Sequence, residues 1–180
     1  MKIEYEATIL EIDKDSFEKQ LQKMGAIKKG DYFQKRYTYN FNPIIENKWI
    51  RLRTNGEKTT LTIKKLANEN IIGGTEELEI AVSDFEKTNK LLNELGYNSN
   101  HYQENKRTTY ILNDIEIDID TWPLIPTYAE IEGRSEKEVN QFIDKLGVDK
   151  TKITTLGVTS IYYEKYNIDI DKIEVLKFTE

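Results

Sequence analysis

The sequence predicts an α+β protein: an antiparallel sheet of about eight strands, closed or nearly closed into a barrel, with helices packed outside it. Three observations lead there. At three places a strand with two glutamates one residue apart runs into a short amphipathic helix ending in glycine: Glu4-Tyr5-Glu6 to Gly25, Glu77-Leu78-Glu79 to Gly96, and Glu130-Ile131-Glu132 to Gly147. Between them lie strands of the same alternation but opposite charge, Arg51-Leu52-Arg53 and Thr60-Leu61-Thr62-Ile63-Lys64, followed by Asp118-Ile119-Asp120. The turn dipeptides Asn55-Gly56 and Asn113-Asp114 join neighbouring strands as hairpins. Because side chains alternate faces, each strand gathers its charges on one side and turns Ile3, Tyr5, Leu78, Ile80 and Ile131 to the other, where helices are expected to cover them. Closing the sheet removes its exposed edges and collects the charged faces in one lumen.

The elements follow in order. Residues 2–12 alternate as a strand, and Asp13-Lys14-Asp15-Ser16 caps a helix whose Phe17, Leu21 and Met24 recur at helical spacing before Gly25. From Asp31 to Phe41, Phe33, Lys35, Tyr37, Tyr39 and Phe41 alternate with Gln34, Arg36, Thr38 and Asn40, which puts Arg36 on the polar side of a strand. Trp49–Thr54 and Lys58–Leu66 form a hairpin that brings Arg51, Arg53 and Lys64 to one face. A loop from Ala67 to Thr75, with Gly73-Gly74, precedes the Glu76–Val82 strand and a helix capped at Ser83 or Asp84, carrying Phe85, Leu91, Leu92 and Leu95. After an Asn98-Ser99-Asn100 loop that holds His101, Lys106–Leu112 and Ile115–Thr121 form a second hairpin. Trp122-Pro123 to Pro126 interrupts regularity before the Tyr128–Glu132 strand. A helix from Ser135 to Leu146 buries Val139, Phe142 and Leu146, and a short tyrosine-rich helix near Thr159–Tyr166 ends the pattern. No linker divides the 180 residues, so residues 1–180 are expected to form a single domain.

Composition excludes several chemistries. With 32 acidic against 26 basic residues, a net charge of -6 and no basic block, nucleic-acid binding through phosphate neutralisation is not expected. No apolar run suits a bilayer span, and Met1-Lys2-Ile3 leads straight into a strand, so a cytoplasmic protein without membrane partners is expected. Cysteine is absent and His101 is the single histidine, so neither thiolate nor imidazole metal clusters can form. Any metal must be held by carboxylates, which suits magnesium, manganese or calcium. Gly73-Gly74 lacks the lysine and hydroxyl residue of a phosphate-binding P-loop, and Trp49 and Trp122 read as packing residues.

The charged face carries the functional signal. A sheet tuned only for solubility would mix its polar residues rather than collect Glu4, Glu6, Glu77, Glu79, Asp118, Asp120, Glu130 and Glu132 on one side. Like charges gathered in one place cost stability unless opposite charge joins them. Arg51 and Arg53 suit phosphate through their planar, permanently charged forks, Lys64 adds a point charge, and Arg36 and Arg107 complete the set. At Lys106-Arg107 the alternation with Tyr110 and Leu112 favours Arg107 as the inward residue.

In this order, Glu4-x-Glu6, Arg51-Leu52-Arg53, Leu61-Thr62-Ile63-Lys64, Glu77-Leu78-Glu79, Lys106-Arg107, Asp118-Ile119-Asp120 and Glu130-Ile131-Glu132 resemble the CYTH superfamily, the triphosphate tunnel metalloenzymes, over nearly the whole chain. That group includes class IV adenylyl cyclases, thiamine triphosphatases and inorganic triphosphatases. The resemblance implies an eight-stranded antiparallel barrel whose tunnel binds a triphosphate together with magnesium or manganese. It implies substrate binding by Arg36, Arg51, Arg53, Lys64 and Arg107, and metal binding by Glu4, Glu6, Glu130 and Glu132 with Asp118 and Asp120 assisting. Glu77 or Glu79 would orient the attacking water or a second cation, with Lys64 and Arg53 contributing to catalysis. The expected activity is metal-dependent hydrolysis of an inorganic or organic triphosphate. An adenylyl cyclase forming cyclic AMP and pyrophosphate, and a non-catalytic polyphosphate or nucleotide binder, are the alternatives. Thr8 stands where the family signature Glu-x-Glu-x-Lys has lysine; Thr8 itself, Lys35 or Lys152 could take that role. The partner is a triphosphate-bearing small molecule, and self-association as a homodimer is left open.

Overall fold

A computed structural model describes residues 1–179. Eight strands close a barrel in the order β6 (Ser99–Leu112), β2 (Ile27–Asn40), β3 (Lys48–Thr54), β4 (Thr59–Leu66), β5 (Thr75–Val82), β1 (Lys2–Ile9), β8 (Tyr128–Gly133), β7 (Ile115–Thr121) and back to β6. Every junction in this ring is antiparallel. Two short strands lie outside it: β9 (Ile153–Thr154) pairs with β1 and β10 (Val175–Leu176) pairs parallel with β6. The helices are α1 (Lys14–Lys23), α2 (Phe85–Glu94), α3 (Glu136–Leu146) and α4 (Val158–Ser160), the last running into a π-helical turn at Ile161–Lys165.

The three strand-to-helix units form as their residues dictate. Asp13, Asp84 and Ser135 each accept a backbone N–H three residues on, from Ser16, Lys87 and Glu138, which satisfies an otherwise orphaned donor of the first turn. Gly25, Gly96 and Gly147 follow the helices with φ of 85°, 88° and 66°, the left-handed conformation that ends a helix at least cost in glycine.

Three apolar clusters support the barrel, two outside its wall and one at its end. Phe17 and Leu21 of α1 and Val139, Phe142 and Leu146 of α3 pack on Ala7, Ile9, Tyr110, Ile117 and Ile131. Leu92 of α2 packs with Tyr39, Ile50 and Leu52. The C-terminal segment lays Ile161, Tyr162, Ile170 and Leu176 on Leu10, Trp122, Ile125 and Tyr128, where β1 and β7 finish and β8 begins, and so closes one end of the barrel. There Tyr162 Oη donates to the Pro123 carbonyl at 2.5 Å.

Several local expectations need correction. β1 stops at Ile9 rather than residue 12, because Glu11 takes a left-handed φ of 53°. β2 begins at Ile27, and β6 begins at Ser99, so His101 is a strand residue opposite Thr38, with its ring Nδ1 hydrogen-bonded to the Ile173 carbonyl at 3.0 Å. Long-range pairing of β2 with β6 overrides the turn-forming preference of Asn98-Ser99-Asn100. Ile3, Leu78 and Ile80 point outward as expected but are not covered: they are 42%, 53% and 55% exposed, because the helices pack on other sectors of the wall.

This contrast is testable by chemical denaturation. Ile117→Ala, under α3 and fully buried, is expected to cost about 2–5 kcal/mol. Ile80→Ala on the bare sector is expected to cost less than about 1 kcal/mol. Equal losses would contradict this assignment of the core.

Candidate functional site

Register determines what enters the lumen. Arg53 lies opposite both Arg36 and Thr60, Arg51 opposite Thr38 and Thr62, Thr62 opposite Glu79, and Lys64 opposite Glu77. Across the ring Glu6 faces Glu132, Thr8 and Asp118 both face Glu130, and Arg107 faces Asp120. All candidates drawn from the sequence therefore share one face, and the neighbouring strands bring them together inside the barrel. Lys106 points outward, its Nζ 4.7 Å from the centre of the Phe178 ring.

The charges divide into three groups. In the first, Arg107 Nε donates to Asp120 Oδ1 at 2.8 Å, Nη1 donates to Asp118 Oδ2 at 2.5 Å, and Nη2 donates to both Asp120 and Glu130. Arg107 is thus engaged by three carboxylates of its own chain, and its pKa is held well above the usual value because Asp120, Glu130 and Asp118 outweigh its burial. In the second, Lys64 Nζ donates to both oxygens of Glu4 at 3.1 and 2.8 Å and lies 3.8 Å from Glu77. Burial pushes the Glu4 carboxyl up, but Lys64 more than offsets it and the net shift is downward. Glu77 is raised by burial and by Glu4, and its Oε2 is buried without a hydrogen-bond partner.

The third group is short of negative charge. Arg36 is buried, its guanidinium 4.4 Å above the Trp122 ring, and Nη2 donates only to amide oxygens, those of Gln34 at 2.9 Å and Asn105. No carboxylate lies within ion-pair distance of it among the described residues, and its Nε has no partner. Burial, with Arg53, Arg51 and Arg107 nearby, pulls the Arg36 pKa down to about 9. Arg51 and burial pull Arg53 down to about 10. Their nearest carboxylate is Glu79, 3.6 Å from Arg51 and 3.9 Å from Arg53, and it is also held by the Thr62 hydroxyl at 2.8 Å.

The acidic side has the converse deficit. Burial and the adjacent Glu130 hold the Glu6 carboxyl well above the ordinary range, and no cation is within ion-pair distance of it among the described residues. Burial, with Asp120 and Asp118 against the opposing pull of Arg107, pushes Glu130 up to about 7. Among the described residues Glu132 pairs only with the exposed Lys2, at 3.1 Å. Hard oxygen donors lacking positive charge fit a hard divalent cation. Among the described residues no three acids converge into a ready-made cage, so such a cation would take one or two of these carboxylates and complete its shell from water and phosphate, as magnesium does.

Three residues missed in the sequence belong to this site. Asn105, fully buried, accepts from Arg36 and donates to Asp120 Oδ1 at 2.9 Å, tying the arginines to the acidic cluster through a neutral amide. Its alternation with Arg107 was the available signal. Glu116 extends the Asp118, Asp120 alternation and is raised by burial and by Asp118. Tyr128 faces inward opposite Asp120, its buried hydroxyl unpartnered. Thr8 is buried beside Glu130, and neither alternative lysine replaces it: Lys35 is exposed on the outer face, and Lys152 binds the carbonyl and carboxylate of Glu11.

A cavity of about 400 Å³ lies at the end away from the Trp122 cluster and reaches Arg53, Arg107 and Asp118. A crevice of about 30 Å³ adjoins Glu4 and Glu6, walled by Asn68, Gly73 and Gly74. Gly74 is required there, because a Cβ would sit 1.6 Å from the Asn68 carbonyl oxygen.

Comparison with known proteins agrees with this architecture. A Pyrococcus furiosus protein of unassigned function superposes with a TM-score of 0.75 at 21% identity, covering 86% of this chain and 97% of that one. A candidate adenylate cyclase from Vibrio parahaemolyticus gives 0.76 at 10% identity, covering 89% and 97%. An adenylyl cyclase candidate from Hippeastrum, described as having a dominant triphosphatase activity, gives 0.59 at 13% identity, covering 93% and 96%. No curated protein sequence matches. Residues 3–158 match the model of the CYTH domain, and the chain therefore belongs to the CYTH family.

Proposed function

We propose that the lumen binds a triphosphate-bearing small molecule together with a divalent cation, magnesium or manganese, and hydrolyses it. The observation that carries this reading is the paired deficit in the lumen: among the described residues Arg36 has no carboxylate within ion-pair distance and Arg53 has only Glu79 at 3.9 Å, while Glu6 has no cation and Glu130 shares Arg107 with Asp118 and Asp120. A linear polyphosphate with a hard cation supplies both missing charges at once. Arg36, Arg51 and Arg53 would clamp nonbridging oxygens, with Lys64 as a point charge and Arg107 holding Asp118, Asp120 and Glu130 in place. One or two of Glu4, Glu6, Glu130 and Glu132 would hold the cation, with Asp118 and Asp120 assisting and water and phosphate completing its shell, and its charge would neutralise the phosphate chain.

Hydrolysis needs positioning more than covalent chemistry. Water attacks the terminal phosphorus, the bridging P–O bond breaks, and the water proton passes to a carboxylate. Glu77 fits that role because its Oε2 is free of hydrogen bonds, whereas Glu79 is held by Thr62 and helps orient the arginines. Thr8 supports a second reading, a binder that has lost turnover, because no lysine takes the place that the family signature gives one.

Three outcomes test these readings. Isothermal calorimetry with inorganic triphosphate and magnesium should show Arg51→Ala with Arg53→Ala weakening binding by roughly a hundredfold or more, and unchanged affinity would remove the anion site. ATP incubated with manganese should yield ADP or orthophosphate; cyclic AMP with pyrophosphate would establish cyclisation instead, and binding without product would favour the non-catalytic reading, in which case Thr8→Lys should raise turnover.

The third outcome concerns pH. The Glu130 pKa is raised from the ordinary 4.5 to about 7 in the folded protein, so the folded state holds this proton more tightly than the unfolded chain. The associated stability is complete below about pH 4.5 and is lost as pH rises through about 7, at most about 3 kcal/mol. Without metal, the thermal midpoint of the native protein should fall relative to Glu130→Gln between pH 5 and pH 8, and magnesium should reverse part of that fall. A difference independent of pH would refute the electrostatic deficit at Glu130.

A further inference from the structure

Lys2, the first residue of β1, shares the lumen side of its strand with Glu4, Glu6 and Thr8. Its Nζ donates to Glu132 Oε1 at 3.1 Å. Glu132 lies on β8 opposite Glu6, four residues along β1 from Lys2, so the lysine side chain runs along the inner face of its own strand to reach it. There it meets a row of acids: Glu6, Glu132 and Glu116 stand at directly opposed positions on β1, β8 and β7. Like charges opposed across strands destabilise a sheet. Among the described residues, Lys2 is the one cation within ion-pair distance of any of the three. Its ammonium is held in the charged form foremost by the hydrogen bond and charge of Glu132, with Glu77 and Glu4 adding to them.

The pair is suited to exchange. The Lys2 side chain is 71% exposed and that of Glu132 30%, and an exposed ion pair is weak, so displacing the ammonium costs a competing cation no more than about tenfold in affinity. A divalent cation that takes Glu132 brings twice the charge to the same row of acids. The displaced ammonium stays tethered to β1, one strand from Glu116, which lines the cavity that also reaches Arg53 and Arg107. A polyphosphate held by those arginines offers the ammonium a new anion. We propose that Lys2 is an exchangeable counter-ion that couples metal binding to phosphate binding. It occupies Glu132 while the lumen is empty, opposes a cation that arrives alone, and passes to phosphate oxygens when cation and triphosphate arrive together. This inference rests on the triphosphate reading above.

Manganese affinity, measured by electron paramagnetic resonance with and without inorganic triphosphate, tests the exchange. Lys2→Gln should bind manganese alone roughly 3- to 10-fold more tightly than the native protein. Triphosphate should then raise its manganese affinity by a factor roughly 3- to 10-fold smaller than in the native protein. Chelation by free triphosphate is common to all variants and cancels in that comparison. Lys65→Gln removes a lysine paired with Glu76 on the outer face, and it should change neither value, which controls for net charge. In a Glu132→Gln background the Lys2→Gln substitution should have no effect, because the competition is for that carboxylate. Native manganese affinity and native coupling in Lys2→Gln would overturn the exchange, as would an equal gain in the Glu132→Gln background, and triphosphate binding by the native protein would survive either result. A native protein that binds neither manganese nor triphosphate would overturn both readings.

Discussion

Arg107 spans β6, β7 and β8 by donating to Asp118, Asp120 and Glu130 together, and the rest of the lumen is arranged around the charge that this cluster leaves unpaired. Burying so many ions is tolerable only where each finds a partner. Arg107 and Lys64 find theirs within the chain. Among the described residues Arg36 and Glu6 do not, Arg53 has only Glu79 at 3.9 Å, and Glu130 shares Arg107 with two aspartates; Arg51 and burial at Arg53, and burial foremost at the other three, shift all four toward their neutral forms. Asn105 keeps the deficit in place: a neutral amide between Arg36 and Asp120 satisfies a donor on one and an acceptor on the other without cancelling either charge.

The wall that holds these charges is supported unevenly. Two helices cover β1 and the β6–β8 sector, one covers β2 and β3, and the C-terminal segment seals the end where Trp122 and Tyr128 lie. The seal gives the lumen a direction, with a stacked arginine at its floor and a mixed polar and apolar mouth opposite. A polyanion entering from the mouth meets Arg53 before Arg36.

Much of this was legible from residue order. Period-two alternation is strict wherever one face of a strand must be separated from the other, so the inward parity of Arg36, Arg51, Arg53, Lys64 and Glu77 could be read directly, the same alternation favoured Arg107 over Lys106, and the helix cap at Asp13 announced itself. Illegible were features set by distant pairing. The first residues of β6 look like a loop because their own preferences are for turns, yet β2 supplies a ladder for them. Helix coverage over Leu78 and Ile80 could not be judged either, since an apolar strand face looks the same whether or not a helix reaches it.

The sequence by itself determined that strands with charged inner faces would alternate acid and base around an antiparallel sheet, because a two-residue period is a local property of the chain. Only the tertiary structure decided which charges neutralise each other. Ion pairing depends on which strands become neighbours when the barrel closes and on how deeply each side chain is buried, and neither distance nor burial is encoded in spacing along the chain. That is why Arg107 is saturated by carboxylates, while Arg36, also on an inward position, is left without one among the described residues.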